Sequence, residues 1–172
     1  MKKTARIVSM FLTKDPGHGR VRSRLFILPF TVLLLFSSQS FSFAGSATWQ
    51  LNPTTGDWNT AGNWSPMTVP NGSGDIATFA TSNQTDVSIS ADTEVNRIVF
   101  PPGADAFTIS VLPLGSRGDY GNILTLSGSG ISNDSGRDQH FVINGDVLSG
   151  FPAIGFTGQA TAGNQTIFTF IA

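Results

Sequence analysis

Beyond residue 45 the chain alternates between short apolar runs and polar turns. The runs are IATF (76–79), VSI (87–89), RIVF (97–100), FTISV (107–111), ILTL (123–126), HFVI (140–143) and IFTF (167–170), and Gly, Ser, Thr, Asn and Asp fill the intervals. A period of two bounded by turn-formers is the pattern of a strand with one buried face. No stretch in this region sustains the 3.6-residue spacing of an amphipathic helix, so the body is predicted to be all-β. Asn-Gly at 71–72 and 144–145, with Pro-Gly at 102–103, mark sharp turns. In the first run Asp75 is expected at the turn, Ile76 and Thr78 on one face, and Ala77 and Phe79 on the other, with Phe79 inward.

The spacing of the runs narrows the fold. Phe79 and Phe100 lie 21 residues apart, Val87 and Phe107 lie 20 apart, and Ile89 and Ile109 also lie 20 apart. Two strands recurring at that interval suit a solenoid, in which each strand pairs in parallel with its equivalent one coil on. The predicted fold is therefore a parallel β-helix over residues 76–172, with a cap segment over 45–75. An antiparallel β-sandwich is the alternative, since it too yields short strands between frequent turns. Three coils fit the interval and the later runs drift from it.

Residues 1–44 are of a different kind. They hold seven basic residues and one acid, Asp15, whereas from Gly45 onward three arginines face nine Asp and Glu94. The whole-chain charge of −1 thus averages a segment of +6 and a body of −7. An acidic body without lysine is a poor partner for nucleic acid or anionic lipid. The basic stretch leads into LFILPFTVLLLF (25–36) and then SSQSFSFAGSA, which together read as a secretory signal peptide. Twelve apolar residues including Pro29 are short for a bilayer span. Cleavage is predicted after Ala44 or Ala47, with Met10 as an alternative start to Met1 and an uncleaved anchor as the alternative outcome. The expected location is outside the cell or on its outer surface. Cysteine is absent, which removes disulfides and a lipidated N-terminal cysteine.

The stretch ATWQLNPTTGDWNTAGNWSPMTVPNGSGDIATF (47–79) contains all three tryptophans. It resembles the opening of bacterial exported β-helix surface proteins of the autotransporter-associated-repeat and PEP-CTERM-like type, with their W…GDWN.A.NW.P..VPN...D.A.F pattern. EVNRIVF (94–100), GISNDSG (130–136) and ATAGNQTIFTF (160–170) resemble repeat phrases of the same proteins. The resemblance implies a right-handed parallel β-helix at or beyond the outer membrane, in a structural, adhesion or matrix role. It brings no catalytic residues to transfer. Such proteins usually continue for more coils and end in a translocator barrel or sorting helix, so the chain is expected to be an N-terminal passenger piece. Its IFTF strand carries no polar cap, so self-association through an open C-terminal edge is expected.

Candidate chemistry is sparse. Trp58 and Trp64 are candidates for stacking on sugar rings, with extracellular polysaccharide as partner. The competing reading makes Trp49, Trp58, Trp64, Met67 and Val69 a lid over the first coil, whose strand edges and core would otherwise be exposed. A fragment of a polysaccharide-active enzyme is the alternative function. A lyase would need a Lys or Arg base, which three arginines supply poorly, and a hydrolase would need a carboxylate pair. Asp134 and Asp138 in NDSGRDQH (133–140) are near enough in sequence to be asked about, but a solvated turn between strands is the preferred reading of them. Asp138 and His140 would offer a metal two ligands, too few for zinc. Calcium between turns suits nine aspartates better, but neither an EF-hand spacing nor a GGxGxD repeat occurs. Arg117-Gly118-Asp119 and the sequons at Asn63, Asn71, Asn83, Asn133 and Asn164 follow from composition, so no function is assigned to them.

Overall fold

The computed structural model describes residues 45–114, 120–145 and 151–171. Residues 1–44, read above as a signal peptide, and Arg117-Gly118-Asp119 lie outside the described residues. Ten strands are described: β1 (Ala47–Trp49), β2 (Trp64–Ser65), β3 (Gly72–Thr78), β4 (Asp86–Ile89), β5 (Thr93–Phe100), β6 (Thr108–Val111), β7 (Tyr120–Asn133), β8 (Gln139–Asn144), β9 (Phe151–Phe156) and β10 (Thr166–Ile171). One 3-10 turn, Ala61–Asn63, interrupts them.

From β3 onward the chain visits two sheets in turn. One sheet has the order β2-β1-β3-β5-β7-β9 and the other β4-β6-β8-β10. Each strand from β5 onward pairs in parallel with the strand two before it, and among the described residues the one antiparallel pair is β1 with β2. This is the connectivity of a β-solenoid of roughly four turns, not of an antiparallel sandwich. β1 also pairs in parallel with β3, Ala47 opposite Ala77, so the segment before residue 76 is already part of the sheet. The first long strand starts at Gly72. Asp75 stands inside it at a register irregularity between Gly72 and Ile76, accepting a hydrogen bond from the Asn71 N–H at 3.1 Å.

Alternation decides which residues enter the core. Ala77 and Phe79, Val87 and Ile89, Val95, Ile98 and Phe100, and Ile109 and Val111 are all buried, while their neighbours are more exposed. The inward rings form a continuous stack along the coils. Phe79 lies over Phe100 at 5.6 Å with planes 23° apart, and Phe141 lies over Phe168 at 5.4 Å and 27°. Phe107 packs 5.1 Å from Phe79, joining the two sheets. In each sheet a Phe recurs once at the same place on the next coil, so the two rings stack; beyond Phe100 the equivalent position is Asn133.

The register departs from the sequence expectation in the second sheet. Val87 pairs with Ile109 and Ile89 with Val111, not with Phe107 and Ile109. A slip of two residues keeps every side chain on its own face, so spacing alone does not distinguish the two registers. Coil length also grows. Ala77 pairs with Ile98, 21 residues on, whereas Ile98 pairs with Ile131, 33 on, and Leu124 with Ile154, 30 on. Part of the extra length is a bulge. Val95 faces Leu126 and Arg97 faces Gly130, so Ser127, Gly128 and Ser129 stand opposite Asn96 alone. Gly130 closes this bulge with φ +85°, and a Cβ there would strike the Thr161 backbone. Glycine alone accommodates both.

β1, β2 and β9 had no counterpart among the apolar runs. β9 contains Pro152, which has no N–H to give, and it is an edge strand where one is not required.

Candidate functional site: the tryptophan cap

The motif GDWNTAGNW (56–64) lies over the N-terminal end of both sheets. In the first sheet β2 pairs with β1, placing Trp64 opposite Trp49. In the second, the backbone at 56–58 runs along β4: Ser88 N–H donates to the Gly56 carbonyl and Trp58 N–H to the Ser88 carbonyl, both at 2.8 Å. Asp57 and Ser88 thereby form a parallel bridge. The approach is close, since a Cβ on Gly56 would sit 2.7 Å from the Asp86 carbonyl oxygen. Backbone groups that would leave two open edges are thus paired.

Behind this backbone lie three indoles. Trp58 and Trp64 are 0 % exposed and Trp49 is 2 % exposed. Trp64 stands edge-on to both others, with centroids 5.0 Å away and planes at 79° to Trp49 and 68° to Trp58. All three pack on Phe79, the first ring of the core stack, at 5.4 to 5.8 Å. A buried indole N–H needs an acceptor, and each has one. Trp58 donates to the Pro70 carbonyl at 3.0 Å, Trp64 to the Trp58 carbonyl at 2.6 Å, and Trp49 to the Gln84 carbonyl at 3.0 Å. The proline thus holds the cap through its acceptor.

Burial leaves neither Trp58 nor Trp64 a ring face on which a sugar could stack. Val69 joins the cap at 4 % exposure, but Met67 does not: it is 72 % exposed.

The polar residues of the motif fix the loop. Asn63 is buried, its Oδ1 accepting from the Thr55 N–H at 3.0 Å and the Thr54 hydroxyl at 2.9 Å. Its Nδ2 donates to the Thr55 hydroxyl at 2.8 Å and the Asp57 carbonyl at 2.6 Å. Asn59 reaches the next coil, accepting from the Ser90 and Ala91 N–H groups and donating to the Thr93 hydroxyl. Asp57 accepts from the Thr60 and Ser90 hydroxyls at 2.8 and 2.7 Å. Sequence reasoning did not single out Asp57 or Asn59, and it met Asn63 only as a sequon without a function. The available signal was the asparagine adjoining each motif tryptophan, a polar group placed to satisfy backbone beside a buried ring.

The other candidates are spread along the coils. Asp134 and Asp138 are exposed on the 133–139 turn. That turn is ordered instead by Asn133, whose Nδ2 donates to the carbonyls of Arg137, Asn164 and Gln165, and by buried Gln139. Gln139 accepts from the Phe107 N–H at 2.8 Å and donates to the Asp105 carbonyl at 3.0 Å. His140 is half-buried on the opposite face of β8 from the core residue Phe141. Among the described residues no three His, Asp or Glu side chains are grouped to hold a metal ion.

Two open grooves run along the outside. One, of about 320 Å³, brings Asp92 and Glu94 together with Asn71, Thr93, Ile123 and Thr125. Asn71 ties this wall, donating to the Asp92 carbonyl and accepting from the Glu94 N–H. The other, of about 450 Å³, follows the bulge and is lined by Asn96, Ser127, Gly128, Ser129 and Gln159. Arg97 lies at the same bulge, and its Nε is buried with no hydrogen-bond partner among the described residues. No protein-family model, curated protein or solved structure matches this chain.

Proposed function

We infer that the chain forms an exported, non-enzymatic β-solenoid that works as a structural or adhesive rod, of the kind its opening resembles. One observation carries this reading. The most distinctive sequence in the chain, GDWNTAGNW, is committed side chain by side chain to finishing one end of a coil stack. A finished end starts a rod and leaves the outer faces free for partners. The polar grooves at Asn71–Thr125 and along the bulge supply amide, hydroxyl and carboxylate groups suited to extracellular polysaccharide or other surface components.

Export rests on the basic, apolar and small-residue succession of residues 1–47. Of the two cleavage points, the one after Ala44 keeps the cap whole. Cutting after Ala47 would remove a residue of β1 and the Ser46 hydroxyl, which accepts from the Ile76 N–H at 2.9 Å. The test is expression in a Gram-negative host with the natural leader, followed by fractionation and mass spectrometry of the N-terminus. A mature chain starting at Gly45 outside the cytoplasm is expected. Recovery only with residues 25–36 attached to the membrane would refute export.

The enzyme reading has one specific foothold, the shared groove of Asp92 and Glu94. Incubation with a panel of polysaccharides, read by reducing ends and unsaturated products, decides between the two. Product that disappears in Asp92→Asn and Glu94→Gln would replace the structural reading with a catalytic one.

A further inference from the structure

At one residue of β5 the sheet buckles on both sides. Val95 pairs with Gly72 and Leu126, and Arg97 pairs with Ile76 and Gly130. Asn96 between them therefore has three residues opposite it on each neighbour, 73–75 on β3 and 127–129 on β7. Bulged residues leave the ladder and carry the backbone out of line. Here they leave the outer groove lined by Asn96, Ser127, Gly128, Ser129 and Gln159. β5 and β7 are inner strands of their sheet, so what adjoins either end of the stack does not alter this wall.

Asn96 also stands apart in its bonding. The buried or half-buried amides of Asn59, Asn63, Asn122, Asn133 and Gln139 are each tied into the fold by hydrogen bonds. Asn96 is half-buried too, yet among the described residues its amide has no partner, and the Ser129 hydroxyl beside it donates to none. A primary amide offers two donors and an acceptor, and a hydroxyl offers both functions. Gly128 holds this arrangement open, because a Cβ there would strike the Asn96 amide. The fold thus keeps a set of uncommitted hydrogen-bonding groups on one groove wall, where packing would have allowed them to be used internally.

We propose that this groove binds an uncharged glycan chain, with Asn96, Ser129 and Gln159 hydrogen-bonding its hydroxyl groups. The assignment deepens the adhesive reading above, on which its class of partner rests. Three observations select the ligand. The lining holds only amides, hydroxyls and a glycine, the chemistry that matches sugar hydroxyls, each a donor and an acceptor at once. No cation lines the groove and the body from Gly45 carries −7, so a polyanion is repelled. The groove is open, about 450 Å³, within the ~300–1,000 Å³ of small-ligand sites. From Asn96 on β5 to Gln159 beyond β9 it crosses two strand spacings, roughly 10 Å. An open trough of that length suits a polymer lying across the coils better than an enclosed small molecule.

Affinity electrophoresis of the purified full chain tests this, in gels containing dextran, xyloglucan or soluble starch, with polygalacturonate as the anionic comparison. At least one neutral polymer should retard the protein and polygalacturonate should not. Asn96→Ala removes the uncommitted amide, and Gly128→Ala displaces it; each should weaken the retardation at least threefold. Both variants should keep the parent melting temperature. Asn96 has no internal bond to lose, and Gly128 is not among the residues with positive φ, so its alanine need only move a side-chain amide. Retardation by none of the three neutral polymers, binding undiminished in both variants, or retention by polygalacturonate alone would each overturn the proposal. Because purified protein is used, such a failure leaves export and the rod standing, and a failure of export leaves this binding standing.

Discussion

Replacing Trp58 by alanine tests the cap where its contacts converge. The ring is fully buried between Trp64 at 5.0 Å and Phe79 at 5.4 Å, and its N–H is bonded to Pro70. Truncating a buried large aromatic costs about 3–5 kcal/mol, the spread reflecting how far the site collapses. Collapse is limited here because the surrounding rings are held by their own hydrogen bonds. The Pro70 carbonyl also loses its donor, adding on the order of 1 kcal/mol. A coil stack yields locally, so the loss should appear first as opening of the N-terminal coil. Urea unfolding followed by circular dichroism measures the global part, and amide exchange at Phe79 and Ser88 measures the local part. Trp64→Ala should cost a similar amount, and the double variant should cost less than the sum, because each ring is the other's neighbour. A loss below about 1 kcal/mol in both single variants, with unchanged exchange, would refute the cap and restore the sugar-platform reading.

Other consequences follow from single contacts. Trp64→Phe keeps a ring but removes the bond to the Trp58 carbonyl, and should cost about 1–2 kcal/mol by urea unfolding. Asn63→Asp is nearly isosteric yet loses both Nδ2 donations and buries a carboxylate; a drop of at least 2 kcal/mol in the same assay is expected. Gly130→Ala forces both a positive φ and a collision with Thr161, so β9 should lose exchange protection while β3 and β4 keep theirs. Arg97→Met removes an unpartnered buried donor and should leave the melting temperature unchanged or raised. Iodide should barely quench tryptophan emission in the folded chain and quench it freely in urea, since all three indoles are buried.

The parts of the fold readable from sequence are those in which local pattern and coil geometry agree. Phe79 and Phe100 reveal the coil because the first interval contains no insertion, and their inward parity matches their neighbours on both strands. The later coils are hidden by the three residues bulged opposite Asn96 and by the segment after Val111, which lengthen the period without disturbing alternation within any strand. β1 and β2, of three and two residues, are too short to carry a period. Pro152 and Gly155 make β9 read as a turn, although an edge tolerates both. In the cap the tryptophans are conspicuous from their size amid turn-formers. Asn59 and Asn63 are not, because an asparagine in a turn-rich stretch looks the same whether water or a folded loop satisfies it. Burial of Asn63 is a tertiary fact, set by the Thr55 and Asp57 backbone folding around it.

The parallel coil itself can be read out by scalar couplings across hydrogen bonds, measured by long-range HNCO spectroscopy on isotope-labelled protein. The account predicts couplings from the amides of Phe79, Thr108, Leu112 and His140 to the carbonyls of Val99, Thr85, Ile89 and Phe107 respectively, each joining equivalent strands of successive coils. Couplings that instead join the start of one such strand to the end of its neighbour, as an antiparallel sheet requires, would contradict the solenoid and the cap built on it.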